Sequence, residues 1–109
     1  MLIATRHLVV RTDGREVTME IRLFKPELDG EASSCRYEID WPSGTKSSRA
    51  AGVDDIQAIL LTLQKIGIEL YTSAYHKNGE LEWLTAGSGY GFPVTSNVRD
   101  LLVGEDRDM

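Results

Sequence analysis

The sequence predicts an α+β domain in which an antiparallel sheet of four or more strands carries one long helix on one face, with a short helix closing the chain. Three observations predict it: two stretches of period-2 alternation in the first half, an Asp13-Gly14 hairpin signal between strands, and one stretch of three- and four-residue apolar spacing in the second half. A helix laid over one face of such a sheet buries both apolar surfaces at once.

The first strand is expected over residues 2–11, and Asp13-Gly14, two residue types that accept positive φ, turn it back on the next. In that second strand Val17, Met19, Ile21 and Leu23 alternate with Thr18, Glu20 and Arg22, the signature of a half-buried strand. Pro26 and residues 28–33 read as a loop. Cys35, Tyr37, Ile39 and Trp41 then alternate with Arg36, Glu38 and Asp40, and Pro42-Ser43-Gly44 turns the chain into a weaker fourth strand over 45–49. The helix follows: Val53, Ile56, Ile59, Leu60, Leu63, Ile66, Leu70 and Ala74 stack along one side, Asp54 with Gln57 forms a capping pair at the start, and Asn78-Gly79 supplies the exit. Gly67 inside it points to close packing on the sheet. Residues 81–84 read as a short strand, residues 85–91 as a glycine-rich loop and 96–103 as the closing helix. One domain therefore spans 1–103, with a polar tail over 104–109.

The chain has 12 basic and 17 acidic side chains among 109 residues, a net charge of −5, which argues against nucleic acid as a partner. No stretch is apolar enough for a membrane span, the start lacks a secretory signal, and Cys35 has no partner within the chain; a cytoplasmic location is the expectation. The charge is uneven. Residues 1–52 hold eight basic and eight acidic side chains, whereas 53–109 hold four and nine, so an electrostatically steered partner should be basic and approach the second half.

Chemistry-bearing residues are few. Cys35 shares its strand phase with Tyr37 and Ile39, where burial disfavours a thiolate, so it reads as a small core residue. His7 lies in a strand with no nucleophile or acid at a telling spacing, and two histidines about seventy positions apart with one cysteine give no metal-ligand pattern. Asp54 and Asp55 read as helix-start residues. Glu20, Arg22, Arg36, Glu38 and Asp40 read as a solvated, ion-paired sheet face. Gly87-x-Gly89-x-Gly91 departs from dinucleotide spacing and is followed by Phe92-Pro93 instead of a helix, so no phosphate loop is expected and no cofactor is implied.

What stands out is a concentration of aromatics: Tyr71, Tyr75, Trp83, Tyr90 and Phe92 are five of the eight in the chain and fall within 22 positions. Trp83 and Phe92 suit core packing, Tyr75 and Tyr90 a surface position, and His76 a helix C-terminus where a protonated imidazole favours the dipole. Tyr75, His76, Trp83, Ser88 and Tyr90 form the expected interaction surface, with a loop of Gly, Ser, Thr and Tyr such as adaptable recognition loops use.

The strand Cys35-Arg36-Tyr37-Glu38-Ile39, the stretch Gly52-Val53-Asp54-Asp55-Ile56-Gln57-Ala58 and the segment Gly91-Phe92-Pro93 together resemble a group of small bacterial domains of unknown function. The resemblance runs from about Arg6 to Pro93 and implies bacterial origin, but it carries no activity onto these residues. Small size, acidity and the missing catalytic constellation favour a non-enzymatic interaction module, immunity-like or accessory. The alternative is a small-ligand binder or minor enzyme with a pocket between the helix C-terminus and residues 87–91, using His76 or Tyr90. An open sheet edge also allows a homodimer.

Overall fold

The computed structural model describes residues 1–85 and 87–93. The expected closing helix over 96–103, the boundary at 103 and the tail over 104–109 lie outside the described residues.

Six strands form one antiparallel sheet. β1 (Leu2–Thr12) and β2 (Arg15–Phe24) make the first hairpin, and Asp13 and Gly14 at its tip have φ of 52° and 72°, the pair of positive values that a tight hairpin turn requires. β4 (Ala32–Trp41) pairs along its length with β5 (Gly44–Gly52). Its other side is shared: β2 pairs through Leu23↔Tyr37 and Ile21↔Ile39, and the three-residue β3 (Glu27–Asp29) through Leu28↔Ser33. Lys25-Pro26 separates the two, since proline has no N–H for the ladder. β6 (Leu81–Glu82) completes the sheet at the outer edge of β1, where it pairs with Val9 and Val10.

The four expected strands are present as β1, β2, β4 and β5, neighbours in that order, and two short strands add to them. β3 falls where a loop was expected because all three of its residues are exposed, leaving no alternation to read. Residues 81–84 pair as a strand only over Leu81 and Glu82.

One face of the sheet is apolar. Leu8, Val10, Met19, Ile21, Cys35, Tyr37 and Ile39 are buried there and meet Ala58, Ile66, Leu70 and Tyr71. These last belong to α1 (Asp55–Tyr71), which lies over β4 and β5. The helix begins as its sequence specifies: Asp54 is the N-cap and accepts from Gln57 N at 2.8 Å, while Gln57 Oε1 accepts from Val53 N at 2.7 Å. Gly52 is required by the close approach behind it, because a Cβ there would lie 2.6 Å from Ala58 N.

That seating turns the helix away from the broad stripe expected. Ala58, Thr62, Ile66 and Leu70 point inward at four-residue steps, and Thr62 Oγ1 donates to Cys35 O at 3.2 Å inside the core. Ile56 and Leu60 stand about 200° round the helix from Ala58. Ile56 is accordingly 78% exposed, Leu60 46%, and Val53 before the helix 81%. β5 presents polar side chains to the helix: Lys65 Nζ donates to Ser48 Oγ and Arg49 O, and Glu69 accepts from both Lys46 and the buried Tyr37 hydroxyl. Burial, and next the Glu69 carboxylate, hold the Tyr37 phenol well above its ordinary pKa.

The other face carries the expected ion pairs. Arg22 donates to Glu20, Glu38 and Asp40, with its two bonds to Asp40 at 2.6 and 2.7 Å. Those bonds hold the Asp40 carboxyl down at about 2. Among the described residues no helix is long and apolar enough to cross a membrane.

Candidate functional site

The aromatic concentration seen in the sequence is drawn together at the end of α1. A single helix running to residue 77 was expected, but α1 stops at Tyr71 because the next two hydroxyls turn back on it: Thr72 Oγ1 donates to Ile68 O and Ser73 Oγ to Leu70 O, each at 2.7 Å. Ser73 then caps a new turn, α2 (Ala74–Lys77), by accepting from His76 N at 3.1 Å. The break redirects Tyr75 and His76. Tyr75 stacks on Trp41, with ring centroids 5.5 Å apart, whereas the His76 ring meets Tyr71 and Tyr90 edge-on.

His76 Nδ1 and the Tyr90 hydroxyl are 2.5 Å apart. Tyr90 was expected near the surface and is 4% exposed, because it packs on Tyr71 as part of the core. His76 does not fit the charged dipole cap that was expected: burial pushes its pKa below the ordinary histidine value and favours the neutral ring that Tyr90 meets.

A cavity of about 150 Å³ opens beside this pair, between α2 and the glycine-rich loop, lined by His76, Leu81, Trp83, Thr85, Gly89 and Tyr90 among others. Three of the five expected surface residues, His76, Trp83 and Tyr90, thus come together. Ser88 stands behind them, its Oγ donating to Trp83 O at 3.0 Å and Thr85 O at 2.8 Å, and Tyr75 belongs to the neighbouring Trp41 stack.

Two further residues shape the site. Arg6 occupies the inward phase of β1 with Leu8 and Val10 and serves as a platform: its guanidinium sits 4.1 Å over Trp83 and 4.8 Å from the Phe92 ring, and Nη1 donates to Tyr90 O at 3.0 Å and Gly91 O at 3.1 Å. An arginine in an otherwise apolar strand phase was the available signal. The other is Leu84. Thr85 N donates to Trp83 O at 2.8 Å, and Leu84 between them has φ of 63°. A three-residue turn with positive central φ is rare and strained, and here it holds a leucine that is 78% exposed. Nothing in the local sequence marks it.

Charge around the site is partly neutralised across the sheet. Glu82 pairs with Arg11, leaving Glu80 as the remaining carboxylate of the connection from α2 to β6. Cys35 is fully buried and its thiol pushed upward by burial, and His7 bonds Glu20 at 2.9 Å on the outer face. Among the described residues no three His, Cys, Asp or Glu side chains converge as metal ligands do.

Neither the curated proteins nor the solved structures contain a match to the chain. A family described as a domain of unknown function, DUF6968, matches residues 4–94, the span that holds both helices, the Arg6–Trp83–Phe92 platform and all of the sheet but the start of β1, and the chain belongs to that family.

Proposed function

We propose that the protein is a non-enzymatic interaction module, immunity-like or accessory, that presents the Leu84 turn to another protein. One observation carries this reading: an apolar side chain 78% exposed is held in a strained backbone conformation at the rim of an aromatic cavity. Left-handed φ costs a leucine about 1–3 kcal/mol, and such strain gathers where a side chain must be aimed at a ligand. Trp83 beside it, half-buried, supplies the kind of aromatic anchor that interfaces favour. The acidic excess of residues 53–109 supports a basic partner, with Glu80, on the connection into β6, as a steering carboxylate.

Affinity capture from the native host with the wild-type chain, Leu84→Gly and Trp83→Ala tests this. A protein held by the wild type and lost from Leu84→Gly supports the reading; recovery unchanged by both substitutions refutes it.

The cavity also favours a second reading, a small-ligand site using His76 or Tyr90. At about 150 Å³ it is below the usual size of a metabolite pocket. A thermal-shift screen separates the two, since a specific ligand raises stability by mass action.

A further inference from the structure

On the outer face of the sheet, beside the Arg22 cluster with which it shares Glu38, a second group of cations lines one cavity. The register places Arg36 directly opposite Arg49 on the neighbouring strand. Like charges in that position are unfavourable unless something stands between them. The Arg36 guanidinium lies 3.9 Å from the Phe24 ring centroid and donates one bond, from Nη1 to Glu38 at 2.9 Å, so most of its five N–H donors are not used by that bond. Lys25 completes the group. Arg36, Arg49 and Lys25 line one cavity of about 220 Å³, together with Ser34. Among the described residues, neither Arg49 nor Lys25 lies within ion-pair distance of a carboxylate, and Ser34, only 8% exposed, has no hydrogen-bond partner for its hydroxyl. The Ser34 hydroxyl lines the same cavity as the two guanidinium groups and is open to solvent there, so the three can offer donors to one acceptor. Glu27 and Asp29 on the β3 side of the cavity, and Glu38 bonded to Arg36, offset most of this positive charge, so a small anion suits it better than a polyanion.

We propose that this cavity binds a small oxyanion, a phosphate group or a carboxylate, between Arg36 and Arg49 with Ser34 as the third donor. The proposal is independent of the Leu84 surface and stands or falls separately.

The test is a titration of the ¹⁵N-labelled chain with orthophosphate and, in a second arm, acetate, sodium chloride being exchanged to keep ionic strength constant. Saturable shifts centred on residues 24–36 and 46–51 are expected, and the arm that saturates at lower concentration identifies the group. Removing one charged donor in Arg49→Ala or Lys25→Ala should weaken binding by about tenfold or more. Arg49→Ala should also raise the melting temperature in low-salt buffer, since it relieves the like-charge pair. Absence of saturable shifts with both anions, or affinity unchanged in both variants, overturns the proposal.

Discussion

Gly91→Ala separates two costs that a glycine can conceal. Gly91 has φ of 76°, and a Cβ there would lie 2.5 Å from Trp83 Cζ3 and 2.8 Å from Arg6 Nη1. Neither neighbour can step aside cheaply: the indole is covered by the Arg6 guanidinium, and Nη1 is held by the carbonyls of Tyr90 and Gly91. Left-handed φ alone costs an alanine about 1–2 kcal/mol. Forcing a methyl into a packed site adds about 1–3 kcal/mol, for a total of about 2–5. Gly79 is the control, with φ of 70° and nothing within 4 Å of the position a Cβ would take, so Gly79→Ala carries the backbone cost alone. Urea unfolding followed by tryptophan fluorescence measures both. Each kcal/mol should lower the melting temperature by about 4–8 °C in a domain of this size. If the two variants lose the same stability, the Trp83–Arg6 platform does not hold the loop as described and the reasoning is wrong.

Asp54→Ala removes the N-cap of α1 and should cost about 0.5–2 kcal/mol, read by the same unfolding curves. His76 has a folded-state pKa below its unfolded value, so the unfolded chain binds the proton first; stability is complete above about 6.5, the ordinary histidine value, and falls as the pH drops below it. An imidazole titration by NMR should therefore show a midpoint below that value, and His76→Phe should flatten this part of the pH–stability curve. Leu84→Gly relieves about 1–2 kcal/mol of left-handed strain against about 0.5–1 kcal/mol of added chain entropy, so stability should hold or rise by up to about 1.5 kcal/mol while partner binding falls. A variant that unfolds more readily than the wild type would show that the turn is structural.

Much of the fold was legible because its signals are local. Alternation at Met19, Ile21 and Leu23 and at Cys35, Tyr37 and Ile39, the Asp13-Gly14 turn and the Asp54–Gln57 cap each depend on residues a few positions apart. The break at Thr72-Ser73 had a local signal too, a serine three residues before His76, but the apolar spacing from Leu70 to Ala74 ran across it. The helix face was misjudged because periodicity gives a stripe's width and not its centre; Gly52 behind Ala58 decides that by contact. For the site, sequence could gather the aromatics but not orient them. Whether Tyr90 faces solvent depends on Tyr71, and the Arg6 bond to its carbonyl spans 84 positions. The φ of Leu84 is imposed by the bonds that close the turn around it.

The three segments on which the sequence resemblance was read all have work within the scaffold. Cys35 offers its carbonyl to Thr62, Gly52 and Gln57 seat and start α1, and Gly91 with Phe92 closes over Arg6. Groups so committed are spent on the scaffold, so recognition falls to side chains outside these contacts. Leu84 is the clearest case. Ser88 bonds both carbonyls that flank it, and Arg6 holds the Trp83 ring and the Tyr90 and Gly91 carbonyls on the far side. Several charge-assisted and neutral hydrogen bonds of about 1 kcal/mol or more each outweigh the turn's strain of about 1–3 kcal/mol, which is why the leucine stays exposed instead of folding back onto the core. Loosening Arg6 should therefore release Leu84 before it unfolds the sheet.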